Sequence, residues 1–164
     1  MEKFCMSCGA ELKEQEIDGF PRRVCTQSEC DFVLWRNPVP VVAAIVEYQA
    51  QIVLAHNKLW PAGIYGLITG YLEQYEHPDQ AVLREVEEEL GLTASIQSFI
   101  GHYASEQKNQ LLLAYHVNCD HGEISLNHEL DDYKLINKQD LKPWDLGTGL
   151  AVRDWLYTQV MNKD

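Results

Sequence analysis

Between Gly70 and Leu92 the chain packs seven acidic residues (Glu73, Glu76, Asp79, Glu85, Glu87, Glu88, Glu89), with Arg84 as the only lysine or arginine. Pro78 stands where a helix begins and Gly91 where one ends, so the stretch between them reads as one helix of about 13 residues. With Glu85 at zero and about 100° per residue, Glu89 falls near +40° and Glu88 near −60°, so three carboxylates share one face. Val82, Val86, Leu90 and Leu83 fall at roughly +60°, +100°, +140° and +160°, an apolar stripe directly beside the acidic one, whereas Glu87 near 200° points elsewhere. The helix must therefore lie against a core with its carboxylates at the core's edge. Like charges at these spacings cost about 0.3 kcal/mol per pair. Either water tolerates an exposed acidic stripe, or hard cations such as Mg²⁺ or Mn²⁺ take the carboxylate oxygens and leave positions for phosphate.

The rest of the chain supplies what that helix packs on. Val41 to Tyr48 is a nearly continuous β-branched run, as for a strand buried on both faces, and Gln51 to His56 reads as its hairpin partner. A short strand lies between the glycines of Gly63–Gly70. Thr93–Tyr103 and Asn109–Cys119 read as two long strands joined through a polar segment, and Gly147–Met161 as a final helix carrying Leu150, Trp155 and Val160. Strands interspersed with two helices imply an α+β class with a mixed sheet covered on its faces. Asn37-Pro38-Val39-Pro40 separates this part from the first residues, which places a boundary between 1–36 and 37–164.

Spacing decides between the two readings of the acidic helix. Gly70, five residues, Glu76, seven residues, then Arg84-Glu85-Val86-Glu87-Glu88-Glu89-Leu90-Gly91-Leu92 matches every fixed position of the box G-x5-E-x7-R-E-U-x-E-E-x-G-U, where U is aliphatic. At ordinary residue frequencies the odds of a chance match in this chain are roughly 10⁻⁸ to 10⁻⁷. In these residues the chain resembles the Nudix hydrolase family, from about Val39 onward. The resemblance implies an αβα sandwich and Mg²⁺- or Mn²⁺-dependent hydrolysis of a pyrophosphate bond. It implies Glu85, Glu88 and Glu89 as metal ligands, with Glu88 or Glu89 also helping to deprotonate the attacking water. Glu76 would pair with Arg84, Gly70 would let backbone approach the metal, and Glu129 would be an extra ligand or base. An i,i+4 ion pair of Arg84 with Glu88 is compatible with these roles. Glu129 to Pro143 is similar to a family segment in which a distal glutamate leads into a strand and then a short helix. Glu73 is a candidate to face the substrate, Tyr65, Tyr71 and Tyr75 are candidates to stack on a base, and Tyr75 stands where many members have glycine. The chain has no G-x-S-x-G elbow and no phosphate loop of G-x4-G-K-[ST] type.

Cys5-x2-Cys8, sixteen residues, then Cys25-x4-Cys30 has the spacing of a closed four-cysteine zinc site, structural rather than catalytic. Gly9 permits the first tight knuckle, whereas Asp31 stands where the second often has glycine. Two disulfides are the competing reading. Cys119 reads as a buried apolar residue. A small β zinc ribbon ahead of a Nudix domain resembles the NADH pyrophosphatase arrangement, which implies a scaffold role and a homodimer. That subgroup's S-Q-P-W-P-F-P signature is replaced here by residues from Ala104 to Leu111, so the resemblance stops short of NADH specificity.

The net charge of −12 disfavours a long nucleic acid as partner, since no phosphate polymer gains from counterion release on such a surface. Residues 1 to 40 agree, with five basic residues (Lys3, Lys13, Arg22, Arg23, Arg36) against seven acidic ones. Met1 to Gly9 hold charges without an apolar core, and no later run reaches the ~18 apolar residues of a span, so a cytoplasmic protein without membrane contact is expected. The expected substrate is a small nucleotide, a nucleoside diphosphate linked to a second group as in ADP-ribose, NADH or FAD. The alternatives are a non-catalytic nucleotide sensor that contacts a partner through the ribbon, and an enzyme for capped RNA or a nucleoside triphosphate.

Overall fold

A computed structural model describes residues 2–161. Its contacts divide the chain into two units, Met1–Asn37 and Pro38–Asp164. The first is a three-stranded antiparallel sheet of β1 (Leu12–Ile17), β2 (Phe20–Cys25) and β3 (Val33–Leu34). Ile17 pairs with Phe20 across a two-residue turn in which Asp18 and Gly19 have φ of 52° and 79°. Asp-Gly is the dipeptide for such a turn, because both positions need positive φ.

The second unit is built on β4 (Val39–Tyr48), followed by β5 (Gln51–Asn57), β6 (Ile68–Tyr71), α1 (Pro78–Leu90), β7 (Ser95–Ser105), β8 (Gln110–Cys119), β9 (Leu130–Asn137) and α2 (Thr148–Met161). The sheet order is β7-β8-β4-β5-β9, with β6 also on β4. β4 pairs in parallel with β8 along its whole length, while its other edge is shared end to end. Val46–Tyr48 pair with β5, and Val41–Ala44 with β6. The arrangement explains why β4 is an unbroken apolar run: its alternate residues enter two cores. Val42, Ala44 and Val46 pack with Ala81, Val82, Val86 and Leu90 of α1, whereas Ala43 and Ile45 face the side covered by Ala151, Val152 and Trp155 of α2. Each buried valine, leucine or isoleucine among them contributes about 1.5–3 kcal/mol.

The sheet sandwiched between α1 and α2 is the architecture expected from the sequence. Two local expectations are corrected. The strand expected over 63–70 is confined to Ile68–Tyr71, because β5 fills the upper edge of β4 and leaves the chain only an isolated bridge, Ala55 to Gly66, before β6 starts. The short helix expected after β9 is a turn, closed by Asp140 N–H and Leu141 N–H on the Asn137 carbonyl at 2.9 and 3.1 Å.

Candidate active site and cysteine cluster

α1 starts as the sequence implies. Pro78 is in the first turn, and the His77 ring accepts from Asp79 N–H at 3.4 Å. It ends at Gly91, whose left-handed φ of 67° turns its N–H back onto the Glu87 carbonyl. Val82, Val86 and Leu90 are buried, and the helix thereby holds Arg84 and Glu85 against β6 and the loop that leaves it.

Arg84 organises this loop. Nε donates to Glu76 Oε1 at 2.7 Å, and Nη2 to Glu76 Oε2 at 3.0 Å and to the Tyr71 carbonyl at 3.1 Å. Nη1 donates to Glu85 Oε1 at 2.7 Å and Glu88 Oε2 at 2.9 Å. All the guanidinium's N–H groups are thus used, and the loop's two ends and two glutamates of the helix are tied to one planar cation. Glu76 also accepts from Glu73 N–H at 2.9 Å. The Arg84 guanidinium and then that N–H hold the Glu76 carboxyl at about 2. The pairing of Arg84 with both Glu76 and Glu88 is as read from the sequence. Glu73 enters the network through its backbone.

Gly70 has a role that spacing alone could not show. A Cβ built there would lie 1.7 Å from Glu85 Cδ and 1.9 and 2.2 Å from its oxygens. The missing side chain leaves the space in which the Glu85 carboxylate sits. Burial raises the Glu85 pKa, partly offset by Arg84.

Glu89 is the one charged residue in the core among the described residues, 8% exposed. Its azimuth beside Val82 and Val86 explains why it goes inside while Glu87 and Glu88 stay exposed. Burial, then the charges of Glu85, Glu129 and Glu88, push its carboxyl up to about 8. Glu129 arrives from far along the chain because Ser125 and Asn127 cap the helix end: their N–H groups donate to the carbonyls of Leu90 and Glu89 at 2.8 and 3.2 Å. The Asn127 side chain then accepts from Glu129 N–H at 2.9 Å and Leu130 N–H at 3.3 Å. Glu85, Glu129 and Glu88 thus each act through their charge on the buried Glu89. Such oxygen donors suit a hard divalent cation, which would relieve the charge that burial makes unfavourable.

A NUDIX domain matches residues 37–154. The chain belongs to the Nudix family of hydrolases. NAD-capped RNA hydrolase NudC of Pseudomonas putida (strain W619) is 25% identical over 150 residues, which cover 91% of this chain and 53% of the relative. The same-named protein of Pseudomonas aeruginosa (strain LESB58) is 26% identical over 142 residues, covering 86% and 50%. This chain spans about half the length of the curated relatives it matches. Among solved structures, a Nudix hydrolase from Nitrosomonas europaea superposes with a TM-score of 0.80 at 23% identity, over 99% of this chain and 93% of the other. An ADP-ribose pyrophosphatase from Streptococcus suis gives 0.62 at 20%, over 75% and 92%. At these identities the two structures establish the fold.

Of the tyrosines near the Nudix helix, Tyr65 is committed elsewhere. Its hydroxyl donates to Asp132, and Lys134 Nζ lies 3.9 Å over its ring. The neighbouring His56 meets Asp131 at 2.5 Å, so this group forms a polar knot at the β5–β9 edge. Tyr71 is half-exposed at the end of β6, and its hydroxyl accepts from Gln110 Nε2 at 3.0 Å.

In the first unit, Sγ atoms of Cys5, Cys8, Cys25 and Cys30 all lie within 4.8 Å of one another. Cys5 and Cys30 are 3.8 Å apart and Cys8 and Cys25 3.4 Å, well beyond a disulfide bond of about 2.05 Å. Tetrahedral zinc at about 2.3 Å from each sulfur would set them about 3.8 Å apart. Both knuckles turn N–H groups onto sulfur, Ser7 onto Cys5 and Gln27 onto Cys25, each at 3.4 Å. Gly9, at φ 77°, closes the first by donating to the Cys5 carbonyl. The cluster can hold zinc. Cys119 is fully buried, and burial raises its thiol to about 11, the setting of an inert core residue. No helix among the described residues is long and apolar enough to cross a membrane.

Proposed function

We propose that this chain hydrolyses the pyrophosphate of a nucleoside diphosphate linked to a second moiety, such as ADP-ribose, NADH or FAD. The observation that carries the reading is the Arg84 network, which ties Glu76 of the facing loop to Glu85 and Glu88 of α1, on the same helix as the buried Glu89. Glu85, Glu88 and Glu89, with Glu129 beside them, would hold Mg²⁺ or Mn²⁺. When bound, the cation neutralises phosphate oxygens and acidifies water. Burial and its acidic neighbours push the Glu89 carboxyl up to about 8; ionised once a cation offsets that charge, it would be suited to accept a proton from that water. Arg84 and Glu76 fix the loop so that the glutamates keep their geometry, and Tyr71 offers an exposed ring at the loop's start. The relatives' names, NAD-capped RNA hydrolase and ADP-ribose pyrophosphatase, support a dinucleotide-type diphosphate.

Incubation with Mg²⁺ and a panel of ADP-ribose, NADH, FAD and nucleoside triphosphates, followed by detection of phosphate monoesters, tests the reading. Cleavage of at least one of ADP-ribose, NADH and FAD is expected. Nucleotide binding without any cleavage would point instead to a sensor. The names of the relatives also favour a second reading, an NAD-type cap on RNA. The net charge of −12 predicts that a long RNA adds little affinity. A steep loss of capped-RNA cleavage with rising salt would show the opposite.

The reading of the cysteine cluster is a structural zinc site on a ribbon scaffold. About one zinc per chain is expected. Cys25→Ser should release it and abolish amide-exchange protection of β1 and β2, while protection of α1 persists. Retained zinc, or unchanged exchange in β1 and β2, would refute the assignment.

A further inference from the structure

The loop between β6 and α1 makes a turn that would be simpler without a side chain at Tyr75. Glu76 N–H closes it on the Glu73 carbonyl at 3.1 Å, and Tyr75, third of the four residues, has φ 67°. Glycine adopts that conformation freely and a residue with a Cβ does so under strain. The ring recovers nothing in return: it is 96% exposed, with no hydrogen bond or ring contact among the described residues. Yet it is not free to drift. The next residue, Glu76, is gripped at both oxygens by Arg84, the same guanidinium that holds Glu85, Glu88 and the Tyr71 carbonyl. An unpartnered aromatic ring is therefore carried on the residue before Glu76, in a turn whose backbone the Glu76–Arg84 contact holds. The other two tyrosines around the site differ, since the hydroxyls of Tyr65 and Tyr71 are both engaged by neighbours.

We infer that Tyr75 is a specificity-determining residue that stacks on the purine base of the substrate. The inference rests on the diphosphate reading above, which puts the phosphates at the glutamates and leaves the base to find its own contact. A base offers a planar π-face, and an exposed tyrosine ring is a platform for it at a small entropic cost, because only two side-chain torsions must be fixed. Cations are scarce on this acidic chain, so a neutral stacking contact suits the base better than a charged one.

Tyr75→Gly keeps the turn and removes only the ring. It is expected to melt no lower than the natural protein and to raise KM for ADP-ribose roughly tenfold, with kcat little changed. Tyr75→Phe should retain the original KM. A readout independent of turnover is Tyr75→Trp titrated in Mg²⁺: AMP should quench the added emission beyond any change in the natural protein, and ribose 5-phosphate should not. An unchanged KM in Tyr75→Gly, a lowered melting temperature in that variant, or an AMP titration without effect on Tyr75→Trp would each overturn the inference. If the natural protein cleaves none of ADP-ribose, NADH and FAD, the diphosphate reading fails, whereas the AMP titration still decides the role of Tyr75.

Discussion

Glu89→Gln is expected to leave the protein folded and to lower kcat by about a thousandfold, the middle of the range for removing a positioned proton acceptor. Glutamine has the same shape but cannot accept the proton or lend a negative charge to a cation. The same substitution has a stability signature that fixes its cause. With its carboxyl at about 8 in the fold against an ordinary 4.5, Glu89 binds a proton more tightly in the folded than in the unfolded chain. Its contribution is therefore fully present below pH 4.5 and is lost as pH rises through about 8, at a slope of at most about 1.4 kcal/mol per unit. In a chelator, the natural protein should lose melting temperature across that window while Glu89→Gln does not. Addition of Mg²⁺ at high pH should restore the natural protein and leave the variant unmoved. Near-normal turnover in Glu89→Gln, or parallel melting curves for the two proteins across pH, would sink this assignment.

Gly70→Ala is expected to lower kcat/KM about a hundredfold, the scale of a misplaced reacting group, with little change in melting temperature. The added methyl would fall within the Glu85 carboxylate, 1.7 Å from its Cδ. One of the two must move. Gly70 is paired to Val42 at the centre of the sheet, and Val42 is wholly buried, so the backbone is held. The Glu85 carboxylate is the end of a flexible side chain and yields cheaply, leaving Arg84 Nη1 and the cluster. Stability is spared for that reason and activity is not. Because the damage runs through Glu85, a Gly70→Ala/Glu85→Gln double variant should be little worse than Glu85→Gln alone. Full additivity of the two losses, measured as kcat/KM with Mg²⁺ in excess, would show that the methyl acts on something else.

Much of the fold is legible because it depends on local rules. Pro78 and Gly91 delimit α1 through backbone conformation, and the apolar run of β4 announces burial on both faces. The Asp18-Gly19 dipeptide carries a hairpin signal as well, one that a reading focused on the cysteines passes over. The expectation of a strand over 63–70 fails because strand length depends on which edge is vacant, and β5 has already taken the upper part of β4. The turn at Lys138–Asp140 replaces an expected helix for a related reason: the Asn137 carbonyl finds its donors within the turn.

For the site, the sequence by itself determines the order and spacing of the glutamates on α1, their clustering on one face, the pairing of Arg84 with Glu76, and the two knuckles of cysteines. These follow from helix periodicity and short loops, which act over a few residues. Only the tertiary structure decides that Glu89 is the buried carboxylate, that Gly70 makes room for Glu85, that Asn127 delivers Glu129 to Glu89, and that Tyr65 is engaged while Tyr75 is free. Each of these depends on where a remote backbone lies to within an ångström, and that position is set by how the whole sheet packs between its two helices.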